Sequence, residues 1–326
     1  MTHALTSTRT SDTDREDINE GPNPLGMVGI EFIEYATSKP QALGNLLETM
    51  GFRPIARHRS REVLLYRQGA LNIIVNAHGT GAALTDKPVI SAIAVRVRDA
   101  AAAYKRALER GAWAVPVKVE VMELNIPAIH GVGTSRIYFV DRHGDFSIYD
   151  VDFTPIPTVD QQPPSVAGLH LFGIVQYIGN DRSDDWTEFY ASLFGFTELA
   201  PDIRFGILPK GRILQSPCKT FYLQLIEPEP SVLDVEDDEC LQRIGLGAPD
   251  VPAAVEALHK RGVEFVASKD AQQASRGALT RSAMGGAMFE LVHHTPAGMA
   301  PTLPAARGSL PPEGAHPALG RPVGGV

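Results

Sequence analysis

The sequence predicts an α+β protein of tandem βαβββ units, arranged as two similar domains. Each domain is expected to be a curved mixed sheet around a cavity, with its helices outside. Three observations predict it. The 326 residues make room for two domains at ~100–200 residues each. Segments 25–155 and 165–296 carry the same events in the same order. In each, a strand pattern leads into a helical stripe, then short strands, then a second strand and helix. A unit of this size cannot easily bury its sheet alone, so units are expected to pair.

The elements follow in order. The first 24 residues are polar and lack the apolar stretch of a secretory leader, so they are expected to be disordered. "GIEFIEYA" (29–36) opens the first domain (25–155) as a strand, and "GLHLFGIV" (168–175) opens the second (168–296). A helix follows each. Leu43, Leu46, Leu47 and Met50 form the first stripe, with Ser38 as cap and Gly51 as stop. Trp186, Phe189, Tyr190, Leu193 and Phe194 form the second, with Ser183 as cap and Gly195 as stop. "EVLLYRQGALNIIVNA" reads as a hairpin, in which Tyr66, Arg67 and Gln68 build sheet and turn; "RFGILP" with "TFYLQLIE" is its weaker counterpart. "AIAVRVRDAAAAYKRALERGA" aligns without a gap on "RIGLGAPDVPAAVEALHKRGV", with Asp99 and Asp250 as caps and Gly111 and Gly262 as stops. "FSIYDVDF" and "AMFELVHH" are read as the closing strands. The linker, 156–167, lies in the Pro-rich "TPIPTVDQQPPSVA" and is expected to be extended. Residues 297–326 are rich in Pro, Gly and Ala without periodicity and read as a disordered tail.

Composition narrows the function. A net charge of -8 argues against nucleic acid, whose phosphates want a basic face. No apolar run approaches the ~18 residues of a membrane span. Two cysteines, Cys218 and Cys240, are too few for a disulfide framework and suit a reducing cytosol. The acidic run "DVEDDE" (234–239) lacks the glycine and spacing of a calcium loop and reads as solvated.

Comparing the halves position by position gives the candidate site. The inward position of the first strand holds Glu31 in one half and His170 in the other. On the strand before the second helix it holds Ala92 and Arg243, and on the last strand Asp150 and Glu290. His170, Arg243 and Glu290 are thus expected to point into one hollow. A lone strand histidine is ordinarily a hydrogen-bonded core residue, and a strand glutamate is rarely buried unpaired. Imidazole and carboxylate at equivalent inward positions amount to two-thirds of a facial triad, which holds Fe(II) and leaves open positions.

The chain resembles the 4-hydroxyphenylpyruvate dioxygenases, of the vicinal-oxygen-chelate superfamily, over about residues 25–296. The likeness is strongest in "GIEFIEYA", "MGFRPIARHRSREVLLYRQGALNIIVNAHG", "YKRALERGA", "MELNIPAIHGVG" and "SIYDVDF", and looser in "GLHLFGIV", "WTEFYASLFGF" and "GAMFELV". The resemblance implies two vicinal-oxygen-chelate domains and a cytoplasmic non-haem Fe(II) oxygenase of tyrosine degradation. The family's substrates are an aromatic α-keto acid and O2, its type product is homogentisate, and it tends to form homo-oligomers. It also implies metal ligands in the second domain only. His170 falls on the family's first histidine and Glu290 on its glutamate.

Arg243 falls on the second histidine. A guanidinium stays protonated and has no lone pair for a metal. It reads as an ion pair with Glu290, as a bidentate clamp for a substrate carboxylate, or as a sign that the true register differs. His294 shares the parity of Glu290 and is the candidate replacement ligand, though a strand separates the two by ~13 Å. The segments 224–250 and 266–284 are shorter than the family's. Its substrate-facing polar positions fall near Ile226 and Gly277, and no lid helix is evident after Pro296. The alternatives to the dioxygenase are a metal-free protein that binds a small anion and a divalent-metal isomerase or lyase of the same superfamily.

Overall fold

Two mixed sheets carry the chain, in a computed structural model that describes residues 21–78, 84–116, 124–203, 205–206, 211–228, 239–267 and 277–296. The first sheet contains β1 (Met27–Ala36), β2 (Arg53–His58), β3 (Val63–Gln68), β4 (Leu71–Asn76), β5 (Val89–Val97), β6 (Ala128–His130), β7 (Arg136–Val140) and β8 (Phe153–Pro155), in the order β6-β7-β5-β1-β4-β3-β2-β8. Its helices are α1 (Pro40–Thr49), α2 (Ala100–Glu109) and α3 (Ile148–Asp152). The second sheet contains β9 (His170–Tyr177), β10 (Thr197–Glu198), β11 (Arg212–Gln215), β12 (Tyr222–Ile226), β13 (Cys240–Ala248), β14 (Gly277–Leu279) and β15 (Phe289–His293), in the order β10-β11-β12-β9-β13-β15-β14. Its helices are α4 (Ser183–Phe194) and α5 (Val251–His259).

Each sheet joins two units at their first strands, which run antiparallel: β1 on β5, and β9 on β13. Within a unit the first and last strands pair in parallel, as β1 with β4 and β13 with β15. That needs a crossover, and the helix supplies it. The sheets are open, with helices outside.

Several local expectations are met by the same chemistry that suggested them. The Asp99 and Asp250 side chains accept from Ala102 N and Ala253 N, filling orphan donors of α2 and α5. Gly195 ends α4 at φ 80°, where a side chain would be strained. Others are corrected. Ser38 does not cap α1, since it donates to Asp86, and Lys39 is the boundary residue. Ser183 lies inside α4 and donates to Glu227, and Arg182 is its boundary. "FSIYDVDF" is helix α3 followed by β8, because Ser147 and Asp150 form a reciprocal capping box. The strand expected in "RFGILP" lies mostly outside the described residues, and the described strand that pairs with β12 on this side is Arg212–Gln215.

One apolar core runs through both lobes, including Leu43, Leu47, Phe139, Tyr190, Phe194 and Leu258. A second fills the first lobe's sheet, where Phe32, Leu65 and Ile74 meet Ile148, Tyr149 and Phe153 from α3 and β8. The linker, expected to be extended, instead turns at Ile156–Val159, where Val159 N donates to Ile156 O, and ends in a 3-10 turn at Val166–Gly168; it is also pinned. Pro163 O accepts from Gly69 N, and the Gln68 side chain accepts from Val166 N while donating to Met50 O. No described helix is long and apolar enough to cross a membrane. The expected disorder of residues 1–20 and 297–326, and most of the run 234–239, lies outside the described residues.

Candidate functional site

The second lobe's sheet brings the candidate residues together in two pairs rather than one cluster. Pairing puts Gly173 and Val175 of β9 on one face with Gly245 and Arg243 of β13 and Glu290 of β15, and the extra residue of β9 at Phe172 brings His170, opposite Gly247, onto that same face. Pairing then sets where along the strands each one sits. Glu290 lies beside Gly245, and Gly245 opposite Gly173. Arg243 is opposite Val175, whereas His170 is opposite Gly247. The four steps from 243 to 247 span roughly 13 Å along a strand.

The first pair is an ion pair. Arg243 Nε donates to Glu290 Oε2 at 3.0 Å, and both side chains are almost fully buried, at 1% and 4% exposure. Arg243 Nη2 is also buried and finds no partner among the described residues.

The second pair is imidazole on imidazole. His170 Nε2 lies 2.8 Å from His294 Nδ1. His170 Nδ1 lies 3.0 Å from the Gly168 carbonyl, which accepts its proton and leaves the Nε2 lone pair toward His294. The ring lies across β13 over Gly247, where a Cβ would strike it. His294 continues the line of β15, its N–H bonded to Ala248 O, and its ring meets Phe172 at 5.2 Å. Burial lowers the pKa of both histidines, His294 further through the neighbouring His170, so both are neutral at pH 7.

Beside the pairs is a cavity lined by Phe172, Phe205, Tyr222, Glu290 and Val292. Phe172 stacks on Tyr222 at 4.9 Å, and Phe205 packs edge-on against Phe172 at 5.0 Å. Gly206 lies so close to Glu290 that a Cβ there would collide with its carboxylate. The space there is about 20 Å³ and opens to solvent, room for a water and not for an aromatic acid.

The first lobe differs at each equivalent position. Glu31 is buried and paired with Arg96 of β5 at 2.5 Å, with Asn72 alongside. Ala92 is buried. Asp150, expected on a strand and pointing inward, is exposed in α3 and bonded to Ser147. Sequence reasoning missed Gly245, Gly247 and Gly206. The first two left a signal: glycine in a strand interior marks close approach by another group.

Comparison with known proteins places the fold. Residues 22–154 match the family described as hydroxyphenylpyruvate dioxygenase, HPPD, N-terminal. The 4-hydroxyphenylpyruvate dioxygenase of Pseudomonas aeruginosa is 34% identical over 271 residues, covering 77% of this chain and 74% of that protein. The chain belongs to the 4-hydroxyphenylpyruvate dioxygenase family. The enzyme of that name from Pseudomonas sp. strain P.J. 874 is 43% identical over 183 residues; the match spans 54% of this chain and about half, 51%, of that relative. A variant 4-hydroxymandelate synthase from Streptomyces coelicolor superposes with a TM-score of 0.65 at 18% identity, over 85% of this chain and 95% of that one. That likeness shows the shared vicinal-oxygen-chelate fold.

The family's Fe(II) can be tested against these residues. Of the three positions the resemblance assigns to the iron, His170 is turned toward His294, Arg243 has no lone pair, and Glu290 is bonded to Arg243. Among the described residues no three His, Cys, Asp or Glu side chains are placed to hold a metal. The family's triad position therefore does not fit iron in this chain.

Proposed function

We propose that the chain is a 4-hydroxyphenylpyruvate dioxygenase-like oxidoreductase that takes a small aromatic α-keto acid, with O2, into the second lobe above Glu290. Kinship across both lobes supports this reading, above all the match with the P. aeruginosa enzyme. The reading places the protein in the cytoplasm, as a homo-oligomer without nucleic-acid or membrane partners. Because the triad position does not fit Fe(II), no reaction step is assigned there. The chain's own residues do the binding. Phe172 and Tyr222 offer an aromatic wall to a ring. Phe205 packs on the same wall and borders the space a ring would enter. Arg243 brings the positive charge that a keto acid's carboxylate would seek.

The Arg243–Glu290 pair favours a second reading, a metal-free protein that binds a small anion. One experiment separates the two. The full chain, purified under argon and supplied with Fe(II), is mixed with 4-hydroxyphenylpyruvate, and O2 consumption is measured alongside calorimetric binding. Consumption matched to keto acid lost supports the enzyme. Binding without consumption moves the conclusion to the second reading. Neither binding nor consumption removes both.

A further inference from the structure

Resting on the keto-acid reading above, we propose that His294 Nε2 accepts a hydrogen bond from a ring hydroxyl at the ligand's far end. His294 is then a specificity-determining residue that selects phenolic acids. The proton positions follow from the hydrogen bonds. The Gly168 carbonyl only accepts, so His170 carries its proton on Nδ1 and its lone pair on Nε2. That Nε2 lies 2.8 Å from His294 Nδ1, so His294 donates from Nδ1. A neutral imidazole with its proton on Nδ1 has its lone pair on Nε2. The chain of bonds fixes His294 as an acceptor at that atom. No described residue donates to His294 Nε2, and the side chain is half-buried.

The place of His294 suits this role. It shares the face of Val292, which borders the cavity. Its ring meets Phe172 at 5.2 Å and Tyr222 at 6.4 Å, the two rings of the aromatic wall. Arg243 is four steps along β13 from Gly247, the residue facing His170, or roughly 13 Å. A para-hydroxylated arylpyruvate is about 9 Å long by ordinary bond lengths. A hydrogen bond at each end adds roughly 3 Å, so its reach matches the separation of the two pairs. Laid along β13 at the open side of the cavity, it sets its carboxylate toward Arg243, its ring against Phe172 and Tyr222, and its hydroxyl on His294. An acid with hydrogen in place of the hydroxyl leaves the acceptor without its donor, and discrimination arises there.

The test uses the full chain and two pairs of probes, each with and without the hydroxyl: 4-hydroxyphenylpyruvate against phenylpyruvate, and 4-methylphenol against toluene. Binding is measured by calorimetry. In the wild type the hydroxylated member of each pair should bind about two- to tenfold tighter. His294→Phe keeps the packing on Phe172 and should bring both ratios to about one, with the fold intact by circular dichroism. Nitrogen NMR of the wild type adds a readout that packing alone does not move. The unprotonated His294 nitrogen should shift upfield with 4-hydroxyphenylpyruvate and stay in place with phenylpyruvate. Equal affinity within both pairs, a preference that survives in His294→Phe, or a His294 nitrogen indifferent to the hydroxyl would each overturn the assignment. The second pair carries no carboxylate. If neither keto acid binds while 4-methylphenol is preferred over toluene and shifts the His294 nitrogen, the keto-acid reading falls and the hydroxyl site stands. No binding by any of the four removes both.

Discussion

Arg243 and Glu290 are opposite charges held almost entirely out of water. Such a pair is far more costly to break than to replace. Arg243→Met leaves a buried carboxylate without its cation and should cost about 3–5 kcal/mol in urea unfolding. Arg243→Met with Glu290→Leu should recover most of that loss, while strictly additive losses would show two uncoupled side chains. The first lobe uses the same device, with Glu31 on Arg96. Glu34, on the same strand as Glu31, is set differently. Burial raises its pKa despite bonds from Ser91 and Asn76 and the nearby charges of Arg136 and Arg61. A raised folded pKa means the native state holds the proton more tightly than the unfolded chain. That contribution is complete below the unfolded value of about 4.3 and is lost as pH rises through the folded one. Glu34→Gln should therefore raise the melting temperature at pH 7 and lose this advantage near pH 4. An equal gap at both pH values would contradict the assignment.

Helix ends show how far the duplication reaches. The gap-free alignment of "YKRALERGA" with "VEALHKRGV" sets Arg110 against Arg261. Each crosses to the other lobe. Arg110 donates to Ser192 O on α4, and Arg261 to Glu48 O and Thr49 O at the end of α1. Both supply cations to carbonyls in the last turns of helices, where the dipole is negative. Arg110→Ala and Arg261→Ala should each cost about 0.3–1 kcal/mol and, being distant, add within roughly 0.5 kcal/mol; thermal unfolding of the three variants checks this. The caps Asp99 and Asp250 were legible because an aspartate before an apolar period has one obvious task. Helix α3 was not, because the apolar spacing of "FSIYDVDF" also suits a strand. A local bond between Ser147 and Asp150 decided it.

At the scale of the whole molecule, parity within a strand was legible and the slips between strands were not. A period of two puts Arg243, Gly245 and Gly247 on one face of β13, but it would set His170 on the face of β9 opposite to Val175, the residue facing Arg243. It cannot locate the slips in β9–β13 pairing between Leu241 and Arg243 and between Gly245 and Leu246. Those slips, with the glycines of β13, set His170 against Gly247 and His294, and leave Arg243 to Glu290. Register, and not the arginine alone, keeps the family's triad from closing. The most direct test is anaerobic Fe(II) binding by Arg243→His compared with the wild type. An imidazole at 243 would meet Glu290 but stay roughly 13 Å along the strand from the position facing His170, so affinity should change by less than about tenfold. One tightly held Fe(II) per chain in Arg243→His, lost again when His170→Ala is added, would contradict it.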